Sequence, residues 1–269
     1  MQLPALKVAL LRRIRWLALS KWLAVLVLPA LVVATRPWAR MFPLMMVCAV
    51  FLGLVLFVAL RAWETSLRRQ FIRESTFPRF LGAKLRAQFP QLQPRDVELV
   101  LHGLRQFFMA HLRSQRQFVA MPSVVVDAAW HEFILHTRAY EAWCNAAFGK
   151  LLHHTPAEVL GRDPKRNDGL RRTWFWACKE ESIDPRKPTR LPLLFALDKK
   201  FAIPGGFSYL PDCSDINRQA GSDSYCGSSF GGGDGGGASG DADGFGGCDA
   251  SSDGGDGGGD GGGCGGGGD

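Results

Sequence analysis

The sequence lacks the short motifs that mark many nucleotide-binding and metal-dependent proteins. It contains no glycine pattern of the Rossmann or P-loop type, and neither a CxxC nor an HExxH spacing. It also has no run of residues rich in alternating β-branched and aromatic side chains, so a sheet-based domain is not indicated. Helical periodicity is the pattern that remains, and it predicts an all-α fold.

Charged residues are missing from one long stretch near the N-terminus. Residues 41–60 read MFPLMMVCAVFLGLVLFVAL, without a single charge. A helix rises about 1.5 Å per residue, so a stretch of this length matches the roughly 30 Å hydrocarbon core of a bilayer. A buried helix of a soluble core rarely runs this far without a polar face. We therefore predict a transmembrane helix over residues 41–60.

An earlier apolar stretch, residues 16–35, predicts a second span. It contains Lys21, whose amine can reach the headgroups from near one end, and Pro29, which membrane helices tolerate. Tryptophans, which favour the membrane interface, lie near the ends of the two stretches at Trp16, Trp22, Trp38 and Trp63. The alternative is a cleaved signal peptide, although no clean small-x-small cleavage site follows.

The distribution of basic residues predicts the orientation of this hairpin, which covers residues 16–60. The link over residues 36–40 is short and holds two arginines. More basic residues flank the hairpin, in the N-terminal segment 1–15 and after residue 60: Lys7, Arg12, Arg13, Arg15, Arg61, Arg68, Arg69 and Arg73. The positive-inside rule then predicts a multi-pass membrane protein with both termini in the cytoplasm.

Residues 61–90 combine arginines with aromatic and leucine side chains at helical spacings. This composition predicts an amphipathic juxtamembrane segment whose basic residues contact anionic headgroups. Nucleic acid is the other ligand that a basic segment suggests, but the membrane interpretation is favoured here. We expect the lipid bilayer as a partner and no specific nucleic acid.

Residues 91–215 predict a helical soluble domain. One helix is predicted after Pro94, with one packed face made of these apolar positions: Val97, Val100, Leu101, Leu104, Phe107, Phe108 and Leu112. On this helix His102 and His111 are interpreted as surface or boundary histidines. A second helix is predicted to start at the N-cap Ser123 and to continue to about residue 150. Asp127 and His131 are four residues apart, so they share a face of that helix.

Asp127 and His131 are also candidate metal ligands, together with histidines that follow the predicted helix. Zinc takes Cys, His and Asp ligands, and Asp127, His131 and either His153 or His154 form the candidate set. In the structural alternative, Asp127 instead accepts a hydrogen bond from His131 or Trp130. Cys144 is interpreted as a core residue, with a nucleophile as its alternative. No catalytic residue is predicted, and zinc is the cofactor that the pattern allows.

The C-terminal segment, residues 216–269, is predicted to be disordered. Of the 32 glycines, 24 lie from Gly221 onward, and from Asp212 onward there are eleven Asp, no Glu and one basic residue. Such a chain cannot bury enough apolar area to offset the entropy lost on ordering. We expect a flexible acidic tether that contacts a basic surface of a protein partner.

A set of short motifs gives the soluble domain a family resemblance. Val126–His131 reads VDAAWH, and Tyr140, Cys144 and the HHTP run that begins with His153-His154 follow it. With these motifs the chain resembles a bacterial, membrane-anchored member of the glycine-rich domain-containing protein family. The resemblance implies a helical module without an assigned reaction, and it marks the following residues as a functional or structural motif: Asp127, Trp130, His131, Tyr140, Cys144, His153 and His154.

Two functions are consistent with these patterns. The first is an interaction or scaffold module at the membrane face, which uses the helical domain or the acidic tail. The second is a metal-dependent, zinc-binding enzyme or domain built on Asp127, His131 and His153 or His154. The sequence alone does not decide between them.

Overall fold

The computed structural model describes residues 5–35, 41–154, 164–211 and 224–226, and these ranges are mostly helical. The prediction of a helical fold is confirmed at this level. Within these ranges the elements are α1 (Ala5–Thr35), α2 (Phe42–Glu74), α3 (Phe80–Gln88), α4 (Pro94–Arg113), α5 (Val124–Leu135), α6 (Thr137–Ala147), α7 (Pro164–Glu180), α8 (Leu193–Lys200), β1 (Ser208–Leu210) and β2 (Ser224–Cys226).

Helices α1 and α2 form a hairpin with a largely apolar, exposed surface. Among the described helices, α2 is the one that is long and apolar enough to cross a membrane. The apolar stretch of α1, Leu19–Ala34, is shorter than a typical membrane span. Length and composition therefore support one span, where the sequence predicted two.

Helix α2 continues without a break from its apolar half into the helical domain, where Phe71 and Ile72 are buried. A charged network lies at this junction. Arg68 donates to Glu64 Oε1 at 2.7 Å and to the carbonyl oxygen of Ala146, near the end of α6, at 2.8 Å. Lys21 of α1 donates to the other oxygen of Glu64 at 2.6 Å. The buried Arg68 guanidinium thus connects α2 to α6, and Glu64 connects α2 to α1.

Helix α4 is the centre of the domain, in contact with α2, α3, α5, α7 and α8. Its predicted apolar face is largely buried, including Leu104, Phe107 and Phe108. Phe108 and Trp143 of α6 pack with ring centroids 4.6 Å apart, within a larger aromatic cluster. Burying one such side chain contributes roughly 1.5–3 kcal/mol, so this cluster is a major source of stability.

The single long helix predicted from Ser123 is wrong, because the chain turns at His136 between α5 and α6. The start is as predicted: the Ser123 side chain caps α5 by accepting from the backbone N–H of Val126. The turn places Trp130 and Tyr140 within hydrogen-bond distance, although ten residues separate them. On one straight helix these two side chains would point in different directions.

Two short strands qualify the all-α prediction. Strand β1 pairs in parallel with β2, in the register Ser208↔Ser224 and Leu210↔Cys226. Strand β2 belongs to the segment predicted to be disordered, so these three residues depart from that prediction. Residues 227–269, the rest of the tail beyond β2, lie outside the described residues.

Asp198, on α8, is buried and holds the start of α5. Its carboxylate accepts from the Ser123 hydroxyl at 2.7 Å and from the backbone N–H groups of Val124 at 2.8 Å and Val125 at 3.2 Å. It also accepts from the N–H of Phe207 at 3.0 Å. The first N–H groups of a helix have no partner within the helix, and a negative charge is favourable there. Asp198 therefore ties α5, α8 and the approach to β1 together.

We expect Asp198→Ala to lower the free energy of unfolding by about 2 kcal/mol, because it leaves buried backbone donors without an acceptor. A thermal melt of the full chain in neutral detergent measures this as a fall of several degrees. Lys199→Ala, an exposed change on the same helix, is the control and should melt like the wild type. Equal melting temperatures for Asp198→Ala and wild type would contradict the capping role.

His111, near the end of α4, is buried, so its interpretation as a surface or boundary histidine is wrong. Its ring meets Phe148 edge-on, and its Nδ1–H donates to the carbonyl oxygen of Gln117 at 3.1 Å. Burial lowers the pKa of His111 to about 4, and the positive charges of Lys150 and Arg116 act in the same direction. The imidazole is therefore neutral at physiological pH.

His111 predicts a loss of stability in acid. In the unfolded chain the pKa of His111 is about 6.5. Between about pH 6.5 and about pH 4, therefore, the histidine is protonated in the unfolded state and neutral in the folded state. The contribution of the neutral His111 to the free energy of unfolding is fully present above the pKa of the unfolded state. It falls by about 3 kcal/mol as the pH drops to the pKa of the folded state. Denaturant titrations across this range should show a shallower pH dependence for His111→Gln, and an unchanged one for the exposed control His136→Gln. Identical slopes for wild type and His111→Gln would contradict the assignment.

Candidate functional site

A cleft of about 350 Å³ opens between α4, α5, the segment before α5 and the segment after α6. Most of its wall is apolar, and its polar groups gather at two places. One contains the acidic and imidazole groups of α5 and the segment after α6, and the other contains cationic side chains. Its lining includes the following side chains: Phe107, His111, Arg116, Phe118, Val119, Met121, Val124, Asp127, Trp130, Lys150, His153 and His154.

Three of the candidate ligands meet at the edge of this cleft. Asp127 and His131 lie one turn apart on α5, and His154 reaches them from the segment after α6. His154 Nε2 lies 2.9 Å from Asp127 Oδ1, and His131 Nδ1 lies 3.3 Å from Asp127 Oδ2. One ligand atom from each residue lies within 4.8 Å of the other two. The side chain of His154 is 12% exposed, that of Asp127 31% and that of His131 52%, so the cluster faces solvent on one side.

A hydrogen-bonded chain positions the segment that carries His154. The Trp130 indole N–H donates to the Tyr140 hydroxyl at 3.0 Å, and that hydroxyl donates to the carbonyl oxygen of Leu152 at 2.6 Å. Trp130 also meets the His154 ring edge-on, with centroids 4.5 Å apart. The proposed hydrogen bond from Trp130 to Asp127 is therefore wrong, because the indole faces Tyr140 in the core.

The other residues of the motif do not join the cluster. Cys144 is completely buried, and burial raises the pKa of its thiol; burial likewise raises the pKa of the Tyr140 hydroxyl. Cys144 packs within the main hydrophobic cluster and lies outside the ligand cluster, so it acts as a core residue. His153 lines the cleft, but among the described residues the ligand cluster takes His154 and leaves out its neighbour.

The cationic residues of the cleft, Arg116 and Lys150, were not singled out in the sequence. Arg116 belongs to the turn after α4, where its φ of 65° lies in the left-handed region, and Lys150 follows α6. Exposed basic residues in loops are common, and nothing in their local spacing indicates a shared cleft. His111 lines the same cleft, and its Nε2 atom has no hydrogen-bond partner among the described residues.

Two imidazole nitrogens and one carboxylate oxygen form a recognised donor set for metal ions. Zinc sites that perform chemistry keep three protein ligands and leave a position for water, and non-haem Fe(II) sites use the same types of ligand. The described residues Asp127, His131 and His154 fit this composition. A cation there would hold a water molecule at the edge of the cleft.

One comparison with known proteins identifies a relationship. A family model described as UCP032817-like matches residues 67–230, which is more than half of the chain and includes Asp127, His131 and His154. No curated protein and no solved structure matches the chain.

The resemblance to glycine-rich domain-containing proteins is wrong, since the matching family model is a different one. The VDAAWH motif that suggested it combines ordinary helical features: Val126 and Trp130 are core positions, and Asp127 and His131 form an (i, i+4) pair. Unrelated helices can carry such a pattern. The match over residues 67–230 shows that the chain belongs to the UCP032817-like family, which is uncharacterised.

Proposed function

We propose that this protein is a membrane-anchored domain that binds a divalent transition metal, with zinc as the first choice. The observation that carries the proposal is the convergence of Asp127, His131 and His154, whose ligand atoms lie within 4.8 Å of one another. The cluster also lies at the edge of a cleft, where a bound ion is accessible to a small molecule.

The arrangement of the two imidazoles favours a metal over a simple ion pair. The rings of His131 and His154 lie with centroids 4.2 Å apart, and both contact the single carboxylate of Asp127. Two neutral imidazoles each offer a lone pair, and one cation shared with the carboxylate satisfies all three groups.

This donor set also supports the metal-dependent hypothesis over the scaffold hypothesis, which requires no convergence of ligands. Three protein ligands leave a fourth zinc position for water, and a zinc-bound water ionises near neutral pH. A metal held by these residues would supply an activated water for hydrolytic chemistry on a ligand in the cleft. Asp127, His131 and His154 hold the metal in this proposal.

We expect the full chain, purified in neutral detergent without a histidine tag, to contain stoichiometric zinc. Asp127→Ala and His154→Ala remove a ligand and should each lose the metal, measured by elemental mass spectrometry. His136→Ala is the matched control, because this exposed histidine stacks on Phe80 outside the cluster. Metal retained by both Asp127→Ala and His154→Ala would contradict the site.

The same variants separate a metal ligand from a purely structural carboxylate. If Asp127 acts through the metal, removing the ion with a chelator lowers the melting temperature of the wild type to that of Asp127→Ala. If the carboxylate stabilises the domain by its contacts with the histidines alone, the chelator has no effect and Asp127→Ala still melts earlier.

We further propose that α1 and α2 both span the membrane and that both termini are cytoplasmic. The proposal is supported by the antiparallel contact of the two helices, in which Trp22 and Phe57 pack 5.4 Å apart. It is also supported by the exposed apolar side chains of both helices and by the larger number of basic residues outside the hairpin than in its link. A helix with a short apolar stretch can be accommodated by local thinning of the bilayer.

Reporter fusions in a bacterial host test this topology. Alkaline phosphatase fused after residue 75 or at the C-terminus should be inactive, because the enzyme needs an extracytoplasmic location. A fusion after residue 38, in the link, is the positive control and should be active. Activity of the C-terminal fusion would reject the proposed orientation.

A further inference from the structure

Arg116 and Lys150 also line the cleft, and the part of the wall that contains them is its cationic end. Within the described ranges neither of these side chains forms an ion pair, whereas several other basic residues of the domain do. Both charges also lie close enough to His111 to oppose its protonation. Positive charge that is not held in a direct ion pair is available to recognise an anion.

This cationic end lies beside the junction between the soluble domain and the apolar hairpin. Arg116 is within electrostatic range of Arg61, Glu64 and Arg68, all on α2 directly after its apolar half. Lys150 follows Gly149, where an added Cβ would lie 3.0 Å from Arg68 Nη2. The cleft and the base of the hairpin are therefore neighbours.

The wall of the cleft is apolar, with contributions from Phe107, Phe118, Val119, Met121 and Val124. An inorganic anion would contact the cations but would gain nothing from this wall. A molecule with an apolar chain attached to its anionic group would use both surfaces. A pocket of this size holds a small organic molecule or a lipid headgroup with the first part of its chains.

We propose that the cleft binds an anionic amphiphile, a phosphate-bearing headgroup with an apolar chain, whose phosphate contacts Arg116 and Lys150. The orientation towards the bilayer rests on the proposed membrane anchoring, but the binding itself does not depend on the metal. Charge-assisted hydrogen bonds from arginine and lysine hold the phosphate, and the apolar wall covers the start of the chain. The ligand then lies beside the cluster of Asp127, His131 and His154.

Native mass spectrometry of the full chain, released from neutral detergent micelles, tests the proposal with three probes. Dihexanoyl phosphatidic acid carries both features, dihexanoylglycerol carries only the chains, and inorganic phosphate carries only the anion. The variants are the double change Arg116→Gln with Lys150→Gln, and the control Lys84→Gln, an exposed lysine on α3 that does not line the cleft.

Dihexanoyl phosphatidic acid should bind more tightly than either of the other probes. The double variant should raise its Kd by about tenfold or more, because two charge-assisted contacts are lost, and Lys84→Gln should leave it unchanged. If inorganic phosphate bound as tightly as phosphatidic acid, the proposed amphiphile would be overturned. If dihexanoylglycerol bound as tightly as phosphatidic acid, the proposed role of the cations would be overturned. An unchanged Kd for phosphatidic acid in the double variant would overturn the cleft as the binding site. An equal loss of affinity in Lys84→Gln would overturn it as well.

The metal content of the same samples keeps this result separate from the metal proposal. The double variant should retain the zinc of the wild type, since neither changed residue belongs to the ligand cluster. Normal zinc with no binding of phosphatidic acid by the wild type would overturn the amphiphile proposal alone. Binding of phosphatidic acid by a protein without zinc would overturn the metal site alone.

Discussion

The structure depends on one helix that passes through two environments. The first half of α2 exposes apolar side chains, and its second half buries Phe71 and Ile72 in the domain core. Arg68 lies at the change between them, and a buried guanidinium without partners would cost several kcal/mol. Its contacts with Glu64 and with the carbonyl oxygens at the end of α6 meet that requirement. The same contacts determine where α6, and the segment after it, leave the helical core.

The candidate metal site depends on the positions of α5 and of the segment after α6. The turn at His136 brings Tyr140 to Trp130, and Tyr140 in turn holds the carbonyl of Leu152, two residues before His154. On the other side, Asp198 fixes the first turn of α5, which carries Asp127. Both halves of the ligand cluster are therefore held by hydrogen bonds to buried groups. These hydrogen bonds restrict the motion of the three ligand side chains, and a metal site needs its ligands in a defined arrangement.

The position of the cleft connects these observations to a function at a membrane. Its ligand cluster can hold a cation, its wall is apolar, and its cationic end borders the base of the hairpin. Under the two proposals, a domain tethered to the bilayer by α2 would meet a lipid-derived ligand at high local concentration, because the ligand and the cleft would share one interface. Anchoring and binding would then be parts of one function in this family.

The sequence by itself determined the features that depend on neighbouring residues: the apolar stretch 41–60, the buried face of α4, the cap at Ser123, and the shared face of Asp127 and His131. Helical periodicity and capping are local, so they can be read from spacing. The tertiary structure decided the turn at His136, the burial of His111, the choice of His154 over His153, and the pairing of β1 with β2. Each of these depends on a partner distant in the chain, such as the 27 residues that separate Asp127 from His154. No local pattern encodes such a distance, which is also why a short helical motif indicated the wrong family.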